Sequence, residues 1–96
     1  MTAAKWALTH QSISAIFDEI KSERWRQEEK WGEENHHPPV YYSLLQEEAG
    51  EVAKAINEGD SKSYREELIQ LAAVTVAMIE SFDRKKECPC EKCKHL

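Results

Sequence analysis

One run in the second half of the chain limits the fold more than any other feature. Leu68 to Ile79 reads Leu-Ile-Gln-Leu-Ala-Ala-Val-Thr-Val-Ala-Met-Ile. As a helix it is apolar nearly all round, and such a helix must be covered on several sides. The whole chain has 96 residues, enough for one domain. A monomer of that size buries only about 60% of the surface its unfolded chain exposes. Two other helices cannot easily cover this run, so a second copy of the chain is its natural cover. A strand at Val74-Thr75-Val76 is open as a reading, but nothing nearby would pair with it.

The remaining segments also read as helices. Ile13, Ile16, Phe17 and Ile20 recur at spacings of three and four, with Asp18, Glu19, Lys21 and Glu23 facing elsewhere. This predicts a first helix from Ser12 toward Glu29, with Thr9 or Ser12 as N-cap. Met1 to Gln11 lack firm periodicity and are open to fraying. Gly32 suits a left-handed helix end, and Pro38-Pro39 suit the first turn of the next helix. A second helix is predicted from about Val40 to Glu58, with Tyr41, Leu44, Leu45, Val52, Ala55 and Ile56 apolar. Gly59 fits the position just past its end. Asp60 or Ser61 then caps a third helix from about Lys62 to Arg84, although Ser63-x-x-Glu66 also reads as a capping box. The reading is all-α: three main helices per chain, assembling into a four-helix-bundle-type homo-oligomer, dimer or tetramer. Residues 1–87 form the single domain and 88–96 a cysteine-rich tail.

Composition narrows the function. Thirteen basic against eighteen acidic residues leave a net charge of −5, which argues against a nucleic-acid polymer held by its backbone. Mean hydropathy is −0.72. No uncharged apolar run reaches the roughly 18 residues needed to span a bilayer, and no signal-peptide core opens the chain. A soluble, cytoplasmic protein without a membrane partner is expected.

The sharpest chemical feature is Gln46-Glu47-Glu48-Ala49-Gly50-Glu51 on the second helix. Glu48 and Glu51, three apart, project from one face, and Glu47 partly shares it through its i,i+4 relation to Glu51. The cluster sits among Leu44, Leu45, Val52 and Ala55, so at least one carboxylate is expected to point inward. The third helix repeats the theme with Glu66, Glu67 and Gln70. A tight turn near Gly59 would bring the clusters together, and three or four oxygen donors converging there suit a hard cation, Mg²⁺ first and Mn²⁺ second. The competing reading is a solvated glutamate face, since Glu favours helices wherever it sits.

Glu48-Ala49-Gly50-Glu51, fifteen residues (52 to 66) and Glu67-Leu68-Ile69-Gln70 resemble the ExxE–spacer–ExxD pattern of the MazG-like all-alpha nucleoside triphosphate pyrophosphatases. Trp31 and His36-His37-Pro38-Pro39 are similar to that family's segment before its first acidic helix. Tyr64 to Val74 is similar to small phage- and prophage-type single-domain members. The resemblance covers about Glu23 to Phe82. It implies Mg²⁺-dependent hydrolysis of a (deoxy)nucleoside triphosphate to the monophosphate and pyrophosphate, for nucleotide-pool control. It makes Glu48, Glu51 and Glu67 metal ligands, Gln70 a weaker fourth and Glu47 a candidate for orienting water. Gln70 departs from the family's Asp. Its amide oxygen can still donate to Mg²⁺, with one negative charge fewer. An acidic protein pairs with an acidic substrate only through a bridging cation.

Substrate contacts have weaker signals. Trp31 stacks on a base or packs on the second helix. Asn35 or His37 hydrogen-bonds a base edge or a phosphate. Lys54 touches phosphate or pairs with Glu58. Tyr41 and Tyr42 read as core and rim, Trp6 and Trp25 as packing or dimer contacts. The tail holds Cys88, Cys90, Cys93 and His95, a Cys₃His set that suits Zn²⁺ within one chain or between chains, or no metal at all. Two rival functions follow. One is a module that binds nucleotides without cleaving them. The other is a helical interaction protein that works through a zinc-binding tail.

Overall fold

The computed structural model describes residues 3–33 and 35–84, and the side chains of residues 12–33 and 35–84. Every regular element among them is helical: α1 (Ala3–Trp31), α2 (Pro38–Glu58) and α3 (Ser61–Arg84). Thr75 belongs to α3, where its hydroxyl donates to the Leu71 carbonyl one turn back (3.1 Å). The strand reading of that segment is thereby set aside.

Local chemistry explains the helix ends. Gly32 takes a left-handed φ of 76° and its N–H closes α1 on the Glu28 carbonyl (2.6 Å). Pro38 and Pro39 occupy the first turn of α2, where a missing N–H costs nothing. At the other end Gly59, with φ 68°, donates to Ile56 (3.1 Å) while Asp60 donates to Ala55 (3.0 Å). That pair of bonds is a Schellman motif, and it satisfies two carbonyls that the helix itself leaves open. Asp60 caps α3 by accepting from the Ser63 N–H (3.1 Å) and hydroxyl (2.8 Å), and these donors hold its carboxyl below the usual range.

The start of α1 differs from expectation. The helix begins at Ala3, not Ser12, and Thr9 and Ser12 lie inside it. Ala3, Ala4, Lys5, Ala7 and Leu8 are good helix formers with no breaker among them, so propensity carries the helix where amphipathic periodicity is absent.

α3 lies at the centre. It packs against both α1 and α2, which among the described residues do not pack on each other. The turn at Gly59 makes α2 and α3 antiparallel neighbours. The ion pairs Glu19–Arg65 (2.5 Å) and Arg24–Glu80 (2.9 Å) give α1 and α3 the same sense. At the far end Arg84 Nε donates to Asn35 Oδ1 (2.7 Å) and forms an ion pair with Glu33 Oε1 (2.7 Å), so α3 also fastens the linker between α1 and α2.

Few apolar side chains close inside one chain. Among the described residues Tyr41, Ala55, Ala73 and Ala77 are buried, together with Ser81. Phe17, Trp25, Ile56 and Ile79 are more than half exposed. The radius of gyration is 16.3 Å, against about 12–13 Å for a self-closed chain of this length. No helix among the described residues is long and apolar enough to cross a membrane.

Candidate functional site

The α2–α3 hairpin brings one glutamate from each acidic cluster together. Glu48 and Glu67 are both partly buried, and the Oε2 atom of each is sealed from water without a hydrogen-bond partner. Burial pushes the Glu48 carboxyl up from the usual 4.5 to about 7; its contact with Glu67 and the charges of Glu67, Glu51 and Glu23 push the same way. A second carboxylate beside it makes ionisation of Glu48 costly, so Glu48 keeps its proton toward neutral pH.

The expected convergence of three or four oxygen donors is realised as this pair. Glu51 is exposed, and its charge reaches Glu48 without its carboxylate joining the contact. Among the described residues no three His, Cys, Asp or Glu side chains converge closely enough to hold a metal ion. The chemistry of the pair nonetheless fits a hard cation: two buried carboxylate oxygens that lack donors are what Mg²⁺ takes. Gln70 is half-buried beside them. Glu47 is exposed and outside the cavity.

Glu23, on α1, is a member of the site that the sequence did not reveal. Its side chain is 14% exposed and its charge acts on Glu48. Arg26 donates to it through Nε (2.8 Å) and Nη2 (2.6 Å), which holds its carboxyl below the usual range. The i,i+3 relation of Glu23 to Arg26 is visible in the sequence. That α1 turns this pair toward α2 depends on how α1 lies on α3, which no local pattern encodes.

A cavity of about 410 Å³ opens from this acidic corner and runs between the three helices. Glu23, Glu48 and Gln70 line one end, and Trp31, Tyr41 and Ala77 line the other. On each helix the two sets are seven or eight residues apart, which is about 11 Å of helix. The cavity is therefore long and two-ended, with carboxylates at one end and rings at the other. His36 joins the ring end, edge-on to Tyr41 at 5.1 Å between centroids. Trp31 stands at the mouth, 56% exposed, with Lys30 Nζ 4.6 Å from the ring centroid.

The other expected substrate contacts fall elsewhere. Asn35 is tied to Arg84 (2.7 Å) and does not line the cavity. His37 is the N-cap of α2, its carbonyl accepting from the Val40 and Tyr41 N–H groups, while its neighbour His36 faces the cavity. Lys54 is exposed on α2 and outside the lining. Tyr41 is core and Tyr42 rim. The tail set Cys88, Cys90, Cys93 and His95, and the Trp6 side chain, lie outside the described residues.

Comparison with protein-family models, with curated proteins and with solved structures gives no match for this chain.

Proposed function

We propose that the chain hydrolyses (deoxy)nucleoside triphosphates to the monophosphate and pyrophosphate with Mg²⁺, in the manner of the MazG-like enzymes its acidic motif resembles. One observation carries the reading: a two-ended cavity with Glu48, one member of the orphaned carboxylate pair, at one end and aromatic rings about 11 Å away at the other. A nucleotide has the same polarity, anionic at one end and a flat ring at the other. A volume of about 410 Å³ lies in the range of small-ligand sites.

On this reading Glu48 and Glu67 would hold the cation, and Glu51 and the Gln70 amide oxygen would be further donors. Once bound, Mg²⁺ supplies charge neutralisation of the phosphates and polarises the bond to be cleaved. Glu48 would give up its proton when a cation binds. Glu23 stands at the acidic end where Glu47 was expected, and is better placed to orient water. Trp31, His36 and Tyr41 take the base. The decisive test is a screen of the standard ribo- and deoxyribonucleoside triphosphates for pyrophosphate release. Release should require Mg²⁺ or Mn²⁺ and fall at least 100-fold in Glu48→Gln and Glu67→Gln; no release from any nucleotide with either ion sinks the proposal.

The same reading has the chain working as a homo-oligomer of the four-helix-bundle kind. The exposure of Phe17, Trp25 and Ile79 supports it, because a second copy would cover apolar surface that one chain leaves in water.

Gln70 in place of an acid, and carboxylates that meet as a pair, favour a second reading in which the site binds nucleotides without cleaving them. Calorimetric titration combined with the release assay separates the two. Tight binding of a triphosphate with no turnover identifies the binding module.

A further inference from the structure

The acidic and aromatic ends of the cavity leave a middle stretch, and α1 places a cation there. Along α1 the lining runs Glu23, Arg24, Arg26, Gln27, Trp31. Two of these carry guanidinium groups, and their situations differ. Arg24 is committed to the fold. Its side chain is 11% exposed, and its three nitrogens donate to Glu80 Oε1 (2.9 Å), Gln27 Oε1 (3.1 Å) and Glu28 Oε1 (3.0 Å). Arg26 is 53% exposed, and its two hydrogen bonds both go to Glu23, one helical turn away. An exposed i,i+3 ion pair of this kind is weak, and a phosphate oxygen pair accepts the same planar fork.

We propose that Arg26 is a direct phosphate ligand of this cavity, parked on Glu23 until a polyphosphate chain arrives between the carboxylate pair and the aromatic end. The inference rests on the nucleotide reading above. Its position supports it: three residues beyond Glu23 and five before Trp31, Arg26 stands where the phosphates nearer the sugar would lie. The role expected for Lys54, which stands outside the cavity, passes to a residue that lines it. The Glu23 carboxylate also orders the guanidinium beforehand, so little side-chain freedom remains to be lost on binding.

The test uses the full chain with Mg²⁺ and two probes, inorganic tripolyphosphate and the matching nucleoside without phosphate. Arg26→Gln should weaken tripolyphosphate binding at least tenfold while nucleoside binding stays within twofold. Arg26→Lys, which keeps the charge and loses the fork, should fall between. In turnover, Arg26→Gln should raise KM about tenfold and change kcat less. Circular dichroism should stay at the wild-type value and the thermal midpoint should fall by only a few degrees, the loss of one i,i+3 ion pair to Glu23. If Arg26→Gln holds tripolyphosphate as the wild type does, the role of Arg26 is overturned and the nucleotide reading stands. If the wild type itself binds neither tripolyphosphate nor any nucleotide, both fall together.

Discussion

Glu48 of α2 and Glu67 of α3 each bury an Oε2 atom that no donor reaches, and burial, reinforced by the contact between the two side chains, raises the Glu48 carboxyl to about 7. The relationship is costly to the fold and therefore measurable without knowing the ligand.

The first consequence is a pH dependence of stability. Near pH 6 the folded chain keeps a proton on Glu48 that an unfolded carboxyl, titrating near 4.5, has released. The stabilisation is complete below about 4.5 and is lost as pH rises through about 7. Allowing for solvent screening in a partly open site, its size is about 1–2 kcal/mol. Glu19, Glu23 and Asp60 are held below the usual range and act oppositely, losing stability as pH falls below that range, outside this window. Thermal unfolding of the wild type minus that of Glu48→Gln isolates the effect: the variant should be the more stable at pH 8, by about 4–8 °C for each kcal/mol.

Cation binding should act on the same pair. At pH 8 millimolar Mg²⁺ should raise the melting temperature of the wild type, and a chelator should reverse the rise, because a ligand that binds the folded state alone stabilises it. Glu48→Gln and Glu67→Gln should show no such rise. An equal rise in both variants would place the cation elsewhere.

The cavity lining separates neighbours that the sequence could not rank. His36→Ala should raise KM for nucleotide about tenfold, and His37→Ala, which leaves the capping backbone intact, should change it less than twofold. Lys54→Ala should likewise leave kcat/KM within twofold. Steady-state kinetics on the three variants decides, and a strong effect of Lys54 alone would contradict the cavity as the substrate site.

The exposed apolar faces of α1 and α3 predict association. Phe17→Asp or Ile79→Asp should shift sedimentation toward the monomer and lower helicity. A wild type that sediments as a monomer at high concentration would remove the oligomer from the reading.

Gly59 offers a purely conformational test. Nothing lies within 4 Å of where a Cβ would stand, so Gly59→Ala meets only the strain of φ 68°. Chemical denaturation should show a loss of about 1 kcal/mol.

Helix ends were legible because single residues decide them. Gly32, Pro38-Pro39, Gly59 and Asp60 act through their own φ values, ring or side-chain oxygen, whatever lies across the fold. The meeting of Glu48 with Glu67 was legible for a related reason: a short turn leaves two adjacent helices little choice of register. What local pattern could not supply was the placing of α1. That placing brings Glu23 and Arg26 to the acidic end and chooses His36 over His37. It rests on Glu19–Arg65, Arg24–Glu80 and the fastening of Glu33 and Asn35 to Arg84, all between residues more than 40 apart in the chain. The beginning of α1 escaped the periodicity argument because residues 3–11 carry no regular apolar spacing in the sequence.

Because α1 packs on α3 and, among the described residues, not on α2, the width of the cavity is set through α3. α3 is the common support of both walls. The carboxylate pair belongs to the α2–α3 hairpin, whose geometry the Gly59 turn holds, whereas Glu23, Arg26 and Trp31 are positioned through the ion pairs of α1 with α3. A substitution on α3 that shifts either seam should therefore change the spacing between the walls without touching a residue of the lining.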